Sequence, residues 1–201
     1  MNDKPLTPGR PRSFDTDAAI DAIVPVFFEN GFKGTSLPQL EAATGLHRQS
    51  MRYAFGGKQE LFLASIQRYG ETKLSEIRSI LTNADRGVEG IRGVFDMWLR
   101  DLTRDTCRGC FLVTTSSDRT LATDTKVLAA INRTNQQIIS LLEAQFKAAR
   151  LEGDVSSALS DRELAQQMLT LGDGAMALCQ LPEARVAASA IFAGFCAQIR
   201  N

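Results

Sequence analysis

Apolar side chains recur at three- and four-residue spacing along most of the chain. Ile20, Ile23, Val24, Phe27 and Phe28 open the series after Asp15, a residue type that caps helices. Asn30-Gly31 reads as the stop of this first helix. Pro25 stands inside it. A proline there removes a backbone hydrogen bond and costs ~3 kcal/mol or more, so a kink or irregular turn is expected. Ser36 with Gln39 forms a capping box, and Pro38 suits the first turn of a short second helix with Leu37, Leu40 and Ala43 as its stripe. Gly45 closes it. A third helix runs from about His47 to Phe55, with Met51 and Phe55 on one side, and Gly56-Gly57 ends it.

From Lys58 a long amphipathic pattern follows through Leu61, Phe62, Ile66, Tyr69, Leu74, Ile77 and Leu81. Residues 87–104 repeat it. A short apolar piece, CFLVTTSSD, precedes a long helix over 124–151 that Gly153 stops. Ser160 with Glu163 caps the next helix, and Pro182 separates it from a last one over 183–199. No period-two strand pattern occurs. The expected fold is all-α, with about nine helices. In the last helix Ala187, Ala190, Gly194 and Ala197 are small, which suits close approach of two helices. A four-helix dimer interface is one reading of residues 160–199, an internal core the other.

Two short helices joined across a glycine are a helix-turn-helix signal. Placed at 100° per residue, Arg48 and Arg52 share a stripe of the third helix, and Gln49 and Tyr53 share the next. Together they cover about 140°. Arginine can fork onto phosphate or guanine, glutamine can pair with adenine, and tyrosine can reach a phosphate. The bland alternative is a solvated basic face over a small buried stripe.

Charge sharpens this picture. Lys and Arg total 23, as do Asp and Glu, so the formal net charge is zero and no global field draws the chain to a polyanion. The distribution is uneven. Lys4, Arg10 and Arg12 stand against Asp3 in residues 1–14, and Arg48, Arg52 and Lys58 stand against no carboxylate in 47–58. Between them lie Asp15, Asp17, Asp21, Glu29 and Glu41 against Lys33 alone. His47 is the single histidine, and no carboxylate lies near it in the sequence. A Ser-His-Asp triad or an HExxH zinc site would have to be built on it, so histidine-based hydrolysis is close to excluded. The start MNDKPLTPGRPR has no apolar signal-like stretch, and no run approaches the ~20 apolar residues of a membrane span. Four cysteines in 201 residues do not make a disulfide framework. A cytoplasmic location is the expectation.

The stretch DAAIDAIVPVFFENGFKGTSLPQLEAATGLHRQSMRYAFGGKQELFLASIQRY resembles the DNA-binding domain of the TetR family of transcriptional regulators. The resemblance rests on GF-x-GTS, then L-x-x-L-x-x-A-T-G-L, then a short helix ending in F-G-x-K-x-x-L, and spans about residues 10–69. It implies a flexible basic arm over 1–13, a helix-turn-helix domain over 14–60 and a ligand-binding and dimerisation domain over 61–201. It implies a homodimer on a palindromic double-stranded DNA operator, released by a small-molecule effector of unknown identity, with no cofactor, no enzymatic activity and no membrane partner. By position, Thr35 would meet a phosphate. His47, Arg48, Gln49 and Ser50 would read bases. Tyr53 and Lys58 would contact the backbone, and Arg10 and Arg12 would reach the minor groove. The family usually has tyrosine where Arg52 stands, so the resemblance leaves open which of Arg52 and Tyr53 meets the phosphate.

Two further features carry expectations. Phe95, Trp98, Leu99, Cys110, Phe111 and Met168 are candidates to line the ligand pocket, with ordinary core packing as the alternative. Few charged residues fall among them, which points to an apolar or aromatic ligand. Cys107 and Cys110 have C-x-x-C spacing. A zinc site would need two more ligands, and Cys179 and Cys196 fall in helices assigned to the dimer interface. A thiol sensor of oxidants or electrophiles on the same fold is the alternative function. A helical enzyme and a helical protein-interaction module are the readings from other classes.

Overall fold

The helical periodicity is realised wherever it was expected. A computed structural model describes residues 14–104, 107–121 and 123–200. Among the described residues there are nine helices and no strand. Arg10 and Arg12, with the whole 1–13 arm, lie outside the described residues.

Helix α1 spans Thr16–Gly34, and the Asp15 carboxylate accepts from the N–H groups of Asp17 at 2.9 Å and Ala18 at 3.1 Å. Its regular part ends at Gly31, whose φ of 67° breaks the helix before a last turn. No irregular turn forms at Pro25. The backbone keeps helical angles through the proline, whose ring is exposed. The proline has no N–H for the carbonyl of Asp21, another exposed residue, so water can take that bond.

Helix α2 (Leu37–Thr44) starts on the Ser36–Gln39 capping box. Helix α3 (Arg48–Phe55) is followed by α4 (Lys58–Thr82), whose 25 residues reach roughly 37 Å. Then come α5 (Gly87–Thr103), the short α6 (Phe111–Ser116), α7 (Thr125–Leu151), α8 (Asp161–Ala177) and α9 (Pro182–Gln198). Helix α4 packs on α1, α5 and α7, and so connects the N-terminal helices to the larger bundle.

The apolar interior forms two clusters. One holds Ile23, Phe27, Leu40, Met51, Leu61, Phe62 and Ile66. It continues past residue 60 into Phe111 and Leu112 of α6 and Val127 and Ile131 of α7. The other fills the space between α5, α7, α8 and α9 around Phe95, Leu142, Phe146 and Met168. Cys110 packs against both.

The proline supplies a test of the α1 account. Pro25→Ala restores an N–H and a better helix former at an exposed site. It should raise stability by about 1–3 kcal/mol, read as a higher midpoint of thermal unfolding by circular dichroism. A lower midpoint would mean that the proline's restriction of the unfolded chain outweighs the missing bond.

Candidate nucleic-acid interface and internal cavity

Local chemistry sets the geometry of α3. Gly45 takes φ 67° and ψ 9°, a left-handed turn that residues with a Cβ adopt only at a cost, and its N–H bonds the Glu41 carbonyl at 2.9 Å. The chain therefore leaves α2 sharply and enters α3 three residues later. Met51 anchors α3. It is 1% exposed, packed with Ile23, Phe27 and Leu40, and Thr44 Oγ1 lies 3.7 Å from its sulfur. Phe55 is half-buried against Phe14, with ring centroids 5.9 Å apart.

With these two residues turned inward, His47, Arg48, Gln49, Ser50, Arg52 and Tyr53 are all exposed. Tyr53 stands furthest out, at 93% exposure. Neither Arg52 nor Tyr53 is spent on the core. Lys58 is half-buried at the start of α4, its ammonium 4.7 Å from the centre of the Phe32 ring. Thr35 departs from the expectation. It is 2% exposed, and its hydroxyl donates to the Gly31 carbonyl at 2.7 Å, so that hydroxyl ties down the break in α1 instead of facing outward.

Glu41 is the residue that sequence reasoning missed. His47 occupies the N-cap of α3 but makes no side-chain cap. The Glu41 carboxylate of α2 reaches across the turn and accepts the Arg48 N–H at 2.6 Å. A carboxylate at a helix N-terminus satisfies an orphan donor and opposes the positive end of the helix dipole. In sequence Glu41 reads only as a polar position on α2; its distance of seven residues from Arg48 was the one available signal.

An internal cavity of about 100 Å³ lies among α4, α5, α6, α7 and α8. Two of the predicted pocket residues, Trp98 and Cys110, line it. The other four do not. Phe95 stacks on Phe192 of α9 at 4.5 Å and fills the bundle. Leu99 faces a surface groove between α5 and α9. Met168 is wholly buried in the core of the bundle. Phe111 turns the other way, into the N-terminal cluster, against Phe28 at 5.3 Å, Tyr69 at 5.7 Å and Phe62 at 5.8 Å.

The wall is also less apolar than expected, because Tyr69, Lys73, Asp101, Asn135 and Asp173 face the cavity. Lys73 bonds Glu76 at 2.8 Å and Asp101 at 3.2 Å. Burial pushes the Tyr69 phenol up, and the neighbouring Cys110 adds to this. Burial raises Asp173 to about 6.

The cysteines are arranged differently from the C-x-x-C reading. Cys107 is buried beside Cys179, whose sulfur lies 3.9 Å from the Cys107 carbonyl oxygen. Cys179 therefore sits in the interior just past α8 and not on an interface. Burial pushes the Cys110 thiol up, away from the thiolate form that a reactive cysteine needs. The thiol-sensor alternative loses support accordingly.

A solvent-facing short helix, set by a glycine turn on a capped one and carried on a larger helical body, defines a helix-turn-helix DNA-binding protein. Residues 19–65 match the family model described as bacterial regulatory proteins, tetR family. The Bacillus subtilis HTH-type transcriptional regulator YezE is 28% identical over 81% of this chain and 87% of its own length. The Escherichia coli HTH-type transcriptional repressor ComR is 31% identical over 52% of this chain and 51% of its own. In structure, the TetR family regulator CifR, solved with a 26-base-pair operator, superposes with a TM-score of 0.78 at 26% identity, covering 93% of this chain and 98% of that one. Over residues 19–65 the chain thus carries the DNA-binding domain of the tetR family, and its fold as a whole is similar to that of TetR-family regulators.

The Glu41 cap can be measured. Glu41→Ala should cost about 0.5–2 kcal/mol in denaturant unfolding, and Glu41→Gln, which keeps an acceptor, should recover part of it. Equal loss in both variants would assign the effect to charge alone.

Proposed function

We propose that this chain is a sequence-specific DNA-binding repressor that works as a homodimer and is released by a small molecule in the internal cavity. The observation that carries the reading is the face of α3. His47, Arg48, Gln49, Ser50, Arg52 and Tyr53 are all turned to solvent by the burial of Met51 on the opposite side. Arg48 and Gln49, in the first turn, are the base readers. Tyr53, Arg52 and Lys58 hold the phosphate backbone, and Arg10 and Arg12 extend the contact into the minor groove. ComR is named a repressor and CifR was solved on operator DNA, which supports the same activity here.

Dimerisation through α8 and α9 is the second element of the proposal. Leu178, Leu181, Val186 and Ile191 are exposed apolar residues on or beside these helices, at 49–78% exposure. Ala187, Ala190, Gly194 and Ala197 are exposed as well, which supports pairing through this face, while Leu164, Met168, Phe192 and Phe195 of the same two helices are buried in the chain's own core. A second copy would cover this face and place two reading helices on successive major grooves, ~34 Å apart or a multiple of it. We propose residues 14–60 as the reading unit and 61–201 as the sensing and dimerising unit.

Release follows from packing. Cys110 and Leu112 line the cavity while Phe111 between them is wedged into the N-terminal cluster. An occupant that shifts α6 must move Phe111 against Phe28 and Tyr69, and with it α1 and α4. A ligand that prefers the shifted arrangement draws the population away from the DNA-competent spacing.

Selection of binding sites from random DNA with the purified protein tests the reading. It should recover a two-fold-related sequence; recovery of no palindrome would falsify it. On the selected site, Arg48→Ala should lose about 1–3 kcal/mol of discrimination at particular base pairs. Lys58→Ala should weaken binding about equally to all sequences and lower the salt slope by about one. The reverse pattern in competition titrations would show that the groove assignment is inverted.

A further inference from the structure

The charges around the cavity do not balance. The Lys73 ammonium is matched by Glu76 at 2.8 Å and Asp101 at 3.2 Å, and Asp101 is shared with Arg104 at 3.5 Å. Asp173 has no such partner. Among the described residues no hydrogen bond or ion pair reaches its carboxylate, although the side chain is half-buried and lines the cavity. Burial is the sole influence that moves its pKa, to about 6, so near neutral pH it is mostly an anion, partly shielded from water, with nothing opposite.

The neighbouring wall is aromatic. Gly172 lets α8 lie directly against the Trp98 ring, since a Cβ at 172 would stand 2.7 Å from Trp98 Cζ3. Tyr69 contributes a second ring, but the Lys73 ammonium already lies 5.8 Å from its centre. A carboxylate without a counter-ion beside the Trp98 ring is the chemistry that holds an organic ammonium group, through charge attraction and cation–π contact. An anionic ligand would meet a Lys73 ammonium already paired with two carboxylates, and would add negative charge next to Asp173 and Asp101. A neutral one would leave Asp173 uncompensated.

We infer that the cavity accepts a small organic monocation, a protonated amine on a compact ring body, with its ammonium group paired to Asp173. This rests on the reading of the cavity as the effector site. Size limits the body: a cavity of about 100 Å³ is below the 150 Å³ that holds a benzene ring, so a single ring already requires slight expansion.

The test uses the full chain, isothermal titration and three probes of one shape: benzylamine, benzyl alcohol and benzoate. Benzylamine should bind at least about ten-fold more tightly than benzyl alcohol, and benzoate least well. Asp173→Asn should erase the amine preference while keeping the affinity for benzyl alcohol. That variant should fold and melt no lower than the wild type, because it removes a carboxylate that burial penalises. Equal binding of amine and alcohol, a preference for benzoate, binding of none of the three, or an amine preference that survives in Asp173→Asn would each overturn the inference. A parallel arm follows release of the DNA fragment recovered by selection. Release by the alcohol or benzoate and not by the amine refutes the cation and leaves the regulatory reading standing. Amine binding at Asp173 that leaves DNA bound refutes the regulatory reading and leaves the cation site standing.

Discussion

The seating of one ring, Phe111, is the contact on which the two halves of the molecule depend. It lies between Phe28 of α1 and Tyr69 and Phe62 of α4, with centroids at 5.3–5.8 Å. The residues on either side of it face the cavity. Interiors packed to this density do not deform smoothly; they exchange one arrangement for another. Helix α6 has only six residues and so little structure of its own to absorb a displacement. Whatever fills the cavity must therefore either leave Phe111 where it is or move the helices that carry the reading head.

Polar contacts cross the same joint, and their size decides their role. Arg68 holds Asp21 through two bonds at 2.6 Å, and Arg108 pairs with Glu29 at 3.1 Å. Hydrogen bonding from Arg68 holds the Asp21 carboxyl below its usual range. These side chains are 34–57% exposed. Exposed pairs contribute about 0–1 kcal/mol each, whereas burying a phenylalanine contributes about 1.5–3 kcal/mol. The aromatic cluster sets how firmly α1 sits on the body. The arginines set its direction, because a two-pronged guanidinium bond has a geometry that apolar contact lacks.

What was legible in the sequence was what local chemistry decides. The Ser36–Gln39 box, the Gly45 turn and the inward Met51 are each fixed by a few neighbouring residues, so the whole helix-turn-helix could be read before any coordinates. The cavity could not. Asp101 and Asp173 look like solvent-side positions on their own helices, and face inward only because five helices meet there. Phe95 and Met168 misled for the converse reason: a large apolar residue on a helix stripe fills a core far more often than it lines a hole. The irregular turn expected at Pro25 does not form, because the Asp21 carbonyl that loses its partner belongs to an exposed residue, which a sequence does not state.

The zero net charge of the chain acquires a different meaning once these contacts are placed. Two of the acidic residues of α1, Asp21 and Glu29, are occupied by Arg68 and Arg108 from the body. Glu41 is turned onto the backbone of α3, where it caps the helix without pairing with the Arg48 side chain. Among the described residues no carboxylate forms an ion pair with Arg48, Arg52 or Lys58. Acid and base alternate along the sequence because they answer to different partners: the acids hold the head to its body, and the bases are left for a polyanion. With a screening length of about 8 Å at physiological ionic strength, the local patch and not the molecular total is the field that DNA meets. A chain of zero net charge can thus still present a local cationic patch on α3.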